Sequence, residues 1–282
     1  MAEPTQKRSR DADADATEDA SHREKKMRES INGAAAELLC PITLKLPIQP
    51  VMAEDGKIYE EKAIRDWFAK KREREELPTS PSTGAVIGTK LLPAVQVRNT
   101  IESLIQTGAI EGELAEAWQK DSAKKLAEET WVKEMRAKAE GGDGDAMYWL
   151  GLAYDTGSKG LAEDEAQARA WYERSAAARN PKGLGSFAEC LLTGAGGSQD
   201  ITLGLVIVTQ AAELGSDFGA YALSEAFFFG NYGLQKNSAQ ARFWLKKVVD
   251  GECKFKNLHK DHVALAANML TVMDAPRQSR DV

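Results

Sequence analysis

Apolar positions along the chain fall into stretches with different periods. Residues 1 to about 33 mix Asp, Glu, Lys, Arg, Ser and Ala and contain no Phe, Trp or Tyr. They cannot bury enough apolar surface to offset the entropy of ordering, so a disordered charged arm is predicted over 1–33. Val51 and Ile58 then flank Asp55-Gly56, a two-residue hairpin signal in which both central positions tolerate positive φ. Ile64, Trp67 and Phe68 follow at i, i+3, i+4, which predicts a helix starting near Glu60. The charged run Lys70 to Glu76 extends that helix until Leu77-Pro78 stops it, and Val97, Ile101, Leu104 and Ile105 mark a closing helix capped by Gly108.

Residues 109–143 are rich in Ala, Glu and Lys, with Ile110, Leu114 and Trp118 on one face and Leu126, Trp131 and Met135 on another. A helical connector is expected there. Rigid spacer, dimerising helix and first half-repeat are all open readings, the last favoured from Trp131 onward.

Beyond residue 143 the chain repeats itself. Gly157, Gly194 and Gly230 are spaced 37 and 36 residues apart, and Gly215 and Gly251 are again 36 apart. First helices are expected at Ala146 to Gly151, Leu184 to Leu192 and Tyr221 to Phe229. Their partners are expected at Ala170 to Ala177, Val208 to Leu214 and Phe243 to Val248. No pair covers its own apolar faces, so the pairs must stack into a helical solenoid over 144–272, closed by a helix at His262 to Val272 and followed by a disordered tail over 273–282. Within it, Phe227-Phe228-Phe229 cannot all face one side of a helix, so at least one is expected outside the core or under a neighbouring repeat.

Composition narrows the class. At 282 residues, 43% hydrophobic and 28% charged, the chain is long enough for two globular domains. A net charge of −6 argues against a general nucleic-acid binder. The longest apolar stretches, such as Leu203 to Val208, fall far short of the roughly 20 residues of a spanning helix, so no membrane partner is expected. The polar start of the chain is unlike a secretory signal, and three Cys without an evident pairing fit a reducing, cytoplasmic setting. Lys7-Arg8-Ser9-Arg10 and Arg23 to Arg28, separated by the acidic stretch Asp11 to Asp19, have the layout of a bipartite nuclear-import signal; a solvated charge-mixed tail reads equally well.

Between Cys40 and Ile105 lie Cys40-Pro41-Ile42-Thr43, Pro50-Val51, Asp55-Gly56, Tyr59-Glu60, Ser80-Pro81-Ser82-Thr83-Gly84 and Leu91-Leu92-Pro93. The layout is that of a RING finger without its zinc ligands. About four Cys or His per zinc are needed, yet of three Cys only Cys40 falls here, and none of the three His does. No metal and no cofactor is expected. Nucleophilic catalysis by Cys is not expected either: Cys190 has no His nearby, and Cys253 has only His259, six residues on, with no motif around the pair.

These motifs resemble the U-box, the zinc-free relative of the RING that serves ubiquitin ligases, over about 34–108. The repeats resemble the Sel-1-like repeat, a relative of the tetratricopeptide repeat. The first fits best; the second has Ile207-Val208 in place of Trp-Tyr, and the third has Val248-Val249 in place of an Ala pair. The expected fold is thus α+β: a small zinc-free box of a short hairpin and helices, then an all-α solenoid.

The resemblance implies a box that binds a ubiquitin-conjugating enzyme charged with ubiquitin and orients it for transfer to a substrate lysine, without a covalent intermediate of its own. It implies an enzyme-binding surface of Ile42, Leu44, Trp67 and Pro81. Asp55, Tyr59, Glu60 and Lys62 are expected to supply the hydrogen bonds that take the place of zinc. Each has a plainer reading: Ile42 and Trp67 as core, Pro81 as a turn residue, the charged groups as solvated. Gly84 stands where the family tends to place Arg, and Gln49 where an acidic residue is common. The repeats are expected to bind a protein substrate or adaptor, and a homodimer is left open. The rival reading is a non-enzymatic adaptor or scaffold.

Overall fold

A computed structural model describes residues 36–256 and 258–274. The charged arm and most of the C-terminal tail lie outside the described residues. The chain divides into two compact units, at Lys125 and Leu126.

The first unit is built on a small sheet of β1 (Pro50–Met52), β2 (Ile58–Glu60) and β3 (Leu92–Pro93), in the order β2-β1-β3 with antiparallel pairs. The turn is longer than the expected two-residue hairpin. Ala53 N–H donates to Lys57 O at 3.1 Å and Gly56 N–H to Ala53 O at 3.0 Å, which encloses Glu54, Asp55 and Gly56. Gly56 has φ +74° while Asp55 keeps a negative φ, the three-residue form with one left-handed position. β3 was not foreseen, because two residues ending in Pro carry no period; it lies on an edge, where Pro93 is tolerated.

Helix α1 (Glu61–Glu73) has Glu61 in its first turn and Lys70, Lys71 and Arg72 in its last, matching the helix dipole. It buries Ile64 and Phe68. The helix stops short of Glu76. Glu75 turns left-handed (φ +56°), its N–H donates to Arg72 O, and Glu76 N–H reaches back to Lys71 O, a Schellman ending without glycine. Helix α2 (Val95–Gln106) buries Ile101 and Ile105, and Gly108 (φ +71°) follows as expected. The start of α3 (Glu113–Glu140) belongs to the same core: Ala115 and Trp118 pack with Leu46, Ile101, Ile105 and Ile110, and the Trp118 indole donates to Pro47 O at 3.2 Å.

The second unit begins in the later part of α3. Trp131, Met135 and Ala139 pack with Met147 and Leu150 of α4 (Gly144–Asp155). α4 pairs with α5 (Glu165–Ala177), α6 (Pro181–Thr193) with α7 (Ile201–Glu213), and α8 (Asp217–Phe229) with α9 (Ser238–Val249). α10 (Lys260–Asp274) packs on the last pair.

Each of the six paired helices opens on a side chain that caps its free N–H groups: Asp143, Asp164, Asn180, Asp200, Ser216 and Asn237. Close approach within the first pair needs glycine at 151, where a Cβ would lie 2.6 Å from the Tyr172 ring. α10 outruns the expected end at Val272. The Arg242 guanidinium holds its last turn, donating to Met273 O at 2.8 Å and pairing with Asp274 at 2.6 Å. Of the three consecutive phenylalanines, Phe227 packs against the core and Phe229 is half exposed. No helix among the described residues is long and apolar enough to cross a membrane.

Candidate functional site

Two loops of the first unit share one backbone design. In the first, Cys40 N–H donates to Lys45 O at 2.9 Å and Leu44 N–H to Cys40 O at 2.8 Å. In the second, Ser80 N–H donates to Ala85 O at 2.8 Å and Gly84 N–H to Ser80 O at 2.9 Å. Cys40-Pro41-Ile42-Thr43-Leu44 and Ser80-Pro81-Ser82-Thr83-Gly84 therefore superpose residue for residue in hydrogen-bond pattern. The fifth position is left-handed in both, with φ +55° at Leu44 and +73° at Gly84. Glycine adopts that conformation freely; Leu44 adopts it at a cost of about 1 kcal/mol.

The opening residue of each loop is buried and tied to the hairpin. Cys40 Sγ accepts from Glu60 N–H at 3.2 Å. Ser80 Oγ donates to Asp55 Oδ2 at 2.6 Å and accepts from the N–H groups of Ser82 and Thr83. Asp55 also accepts from the Tyr59 hydroxyl at 2.7 Å and from Lys57 N–H at 3.0 Å. Burial pushes the Asp55 carboxyl up, but the hydrogen bonds from Ser80, Lys57 and Tyr59 together hold it below the usual aspartate range. The Tyr59 phenol is pushed up, by burial first and by Asp55 beside it. Glu60 Oε2 accepts from the N–H groups of Ile48 at 2.6 Å and Gln49 at 3.1 Å.

Asp55 and Tyr59 thus sit within one hydrogen-bonded group with Ser80, and Glu60 within another with Ile48, Gln49 and Cys40. Lys62 belongs to neither. It is exposed and makes no hydrogen bond or ion pair with a described residue, because its position on α1 faces solvent, away from Ile64 and Phe68. Sequence reasoning missed Ser80 as a brace. The signal was present in the parallel between Cys-Pro-x-Thr and Ser-Pro-x-Thr. Among the described residues no group of three or more His, Cys, Asp or Glu side chains is placed to hold a metal ion.

The surface residues divide by exposure. Leu44 is 70% exposed, a large apolar side chain held in solvent. Ile42 and Trp67 are half-buried and pack against the cluster of Cys40, Val51, Tyr59, Ile64 and Phe68. The Trp67 indole donates to Thr79 O at 2.8 Å, which ties α1 to the base of the second loop, and Lys71 Nζ stands 5.5 Å from its ring centre. Pro81 is half-buried beside Ser80. Gly84 is exposed, and a Cβ there would meet nothing within 4 Å.

Comparison with known proteins fits both halves. Residues 34–109 match the U-box domain, and 144–180, 183–216 and 218–248 match the Sel1 repeat. "U-box domain-containing protein 44" of Arabidopsis thaliana is 30% identical over 92 residues, which is 32% of this chain and 11% of that protein. "WD repeat, SAM and U-box domain-containing protein 1" of Homo sapiens is 37% identical over 67 residues, which is 24% of this chain and 13% of that protein. The chain therefore spans only a small part of the curated relatives it matches. A Sel1 repeat protein from Oxalobacter formigenes, of solved structure, aligns at 27% identity and a TM-score of 0.38, covering 42% of this chain and 89% of that one. The class is that of a small box module joined to helical repeats. In particular, the chain carries a U-box followed by Sel1 repeats.

Proposed function

We propose that this protein is a ubiquitin ligase whose U-box recruits a ubiquitin-charged conjugating enzyme and whose Sel1 repeats bind the protein to be modified. One observation carries the reading: an apolar side chain, Leu44, is held exposed in a left-handed conformation on a loop braced by Cys40 and Glu60. Strain of this kind is retained where the surroundings over-determine it, and it clusters at binding sites. Leu44 with Ile42, Pro81 and the edge of Trp67 forms the docking surface. Transfer then depends on orientation: the box holds the loaded enzyme while the substrate lysine attacks the thioester, and the thiolate of the conjugating enzyme leaves.

A second reading, a non-enzymatic adaptor, is favoured by Gly84, which offers no side-chain donor to hold ubiquitin and enzyme together. The test is an in vitro ubiquitination assay with activating enzyme, ubiquitin and a panel of conjugating enzymes. Self-modification by the natural protein, lost in Leu44→Ala, supports the ligase. Activity only in Gly84→Arg supports a weak box, since the space is open and Leu44 already shows the loop accepting a side chain at that position. Inactivity of both across the panel supports the adaptor.

A further inference from the structure

A cavity of about 170 Å³ opens in the second unit between α6, α8 and α10. Its walls include Phe218, Tyr221, Tyr232 and His262, and two carboxylates, Glu189 and Glu225, face it. Among the described residues no Lys or Arg lines it. Glu189 and Glu225 are repeat equivalents, each five residues before its helix-ending glycine, Gly194 or Gly230; the first repeat has Leu152 there. The acidic character therefore belongs to the junction of the second and third pairs.

The two carboxylates are held differently. Glu225 Oε1 accepts from the Tyr221 hydroxyl at 2.9 Å, which fixes its direction. The Glu189 carboxylate takes no hydrogen bond from a described residue. Glu189 is exposed along one side, yet partial desolvation first, and then Asp155 and Glu225 nearby, push its carboxyl up, with His262 opposing them. The Tyr221 and His262 rings, 5.4 Å apart, add aromatic faces. The volume is below that of a pocket for a drug-sized molecule and suits one side chain.

We infer that this cavity receives a single basic side chain, lysine or arginine, presented by a protein partner, with Glu189 and Glu225 accepting its N–H groups and the aromatic walls covering its stem. Carboxylates with aromatic faces favour a cation with an apolar stem over an anion or a neutral group. The inference rests on the repeats being the partner-binding half of the ligase. Binding is nonetheless read apart from ubiquitin transfer.

The experiment is amide-resolved NMR of the full chain, titrated with short glycine-serine peptides that carry one central lysine, arginine, norleucine or glutamate. Saturable shifts at Gly185, Tyr221 and Ala222 with the basic peptides alone are expected. Glu189→Gln together with Glu225→Gln should weaken binding by about 10-fold or more with the remaining spectrum unchanged. No shift with either basic peptide, or equal shifts with norleucine or glutamate, overturns the inference, as does binding that survives the double substitution. Binding that appears only after Lys7, Arg8, Arg10, Arg23, Lys25, Lys26 and Arg28 are replaced by Gln makes the occupant the chain's own arm, and overturns a partner as occupant. An inactive ligase with intact peptide binding would sink the proposed activity and leave this site standing.

Discussion

Ser80 Oγ donates to Asp55 Oδ2 at 2.6 Å from a position almost wholly out of water, so one hydroxyl links the second loop to the hairpin turn. Ser80→Ala removes one of the donors to the Asp55 carboxylate and frees the N–H groups of Ser82 and Thr83. A loss of about 1–3 kcal/mol is expected in urea unfolding at neutral pH. The sign with pH follows from Asp55. Its folded carboxyl lies below its ordinary value of 3.8, so its contribution is fully present above that pH and is lost as pH falls through the folded value. The gap between natural protein and Ser80→Ala should therefore be widest above pH of about 4 and shrink below it. A gap that does not change with pH would show that Ser80 acts by packing.

Much of the fold was legible because period and punctuation agree. Ile64, Trp67 and Phe68 placed α1, and the 36-residue glycine spacing placed the paired helices. What escaped has no period to show. β3 is two residues long, and α1 ends at a left-handed Glu75 where glycine would have announced the stop. In the first loop, Leu44 was expected on an exposed rim from its motif position and is exposed, whereas Lys62 was placed among the braces by sequence neighbourhood alone. The bracing partner is Ser80, 25 residues from Asp55, a pairing visible only when the two loops are seen as copies.

Arg179 shows the same blindness in the repeats. It stands 36 residues before Gly215 and 72 before Gly251, and all three are left-handed, with φ of +57°, +93° and +71°. Arg179 N–H donates to Ala176 O and Asn180 N–H to Ser175 O, the ending that glycine usually supplies. Its exposed side chain makes no hydrogen bond or ion pair with a described residue. Arg179→Gly is expected to stabilise the second unit by about 1 kcal/mol, and Gly215→Ala to destabilise it by at least as much. Thermal unfolding of the two variants checks both signs.

The thiols should be slow to react. All three cysteines are buried. Burial, with Asp155 and Glu189 nearby, pushes Cys190 up to about 11, and burial with Asp217 nearby raises Cys253. At pH 8 only roughly a thousandth of Cys190 is then thiolate. Iodoacetamide should modify Cys190 of the native protein only as fast as it unfolds. Rapid labelling would point to local opening of α6.

Leu44 is the sharpest separation of stability from function. It is 70% exposed, so truncation removes almost no buried contact, and Ala in a left-handed conformation costs about as much as Leu. Leu44→Ala should therefore change folding stability by less than about 0.5 kcal/mol. Trp67→Ala differs. It removes a side chain packed on the core and leaves Thr79 O without its indole donor, so a loss of several kcal/mol, about 3 or more, is expected. If Leu44 anchors the conjugating enzyme, its truncation should weaken that binding by about 10-fold, or 1.4 kcal/mol. Calorimetric titration against a conjugating enzyme, paired with urea unfolding of the same sample, reads both quantities. Unchanged affinity with unchanged stability would remove Leu44 from the interface and leave its strained, exposed position unexplained by docking.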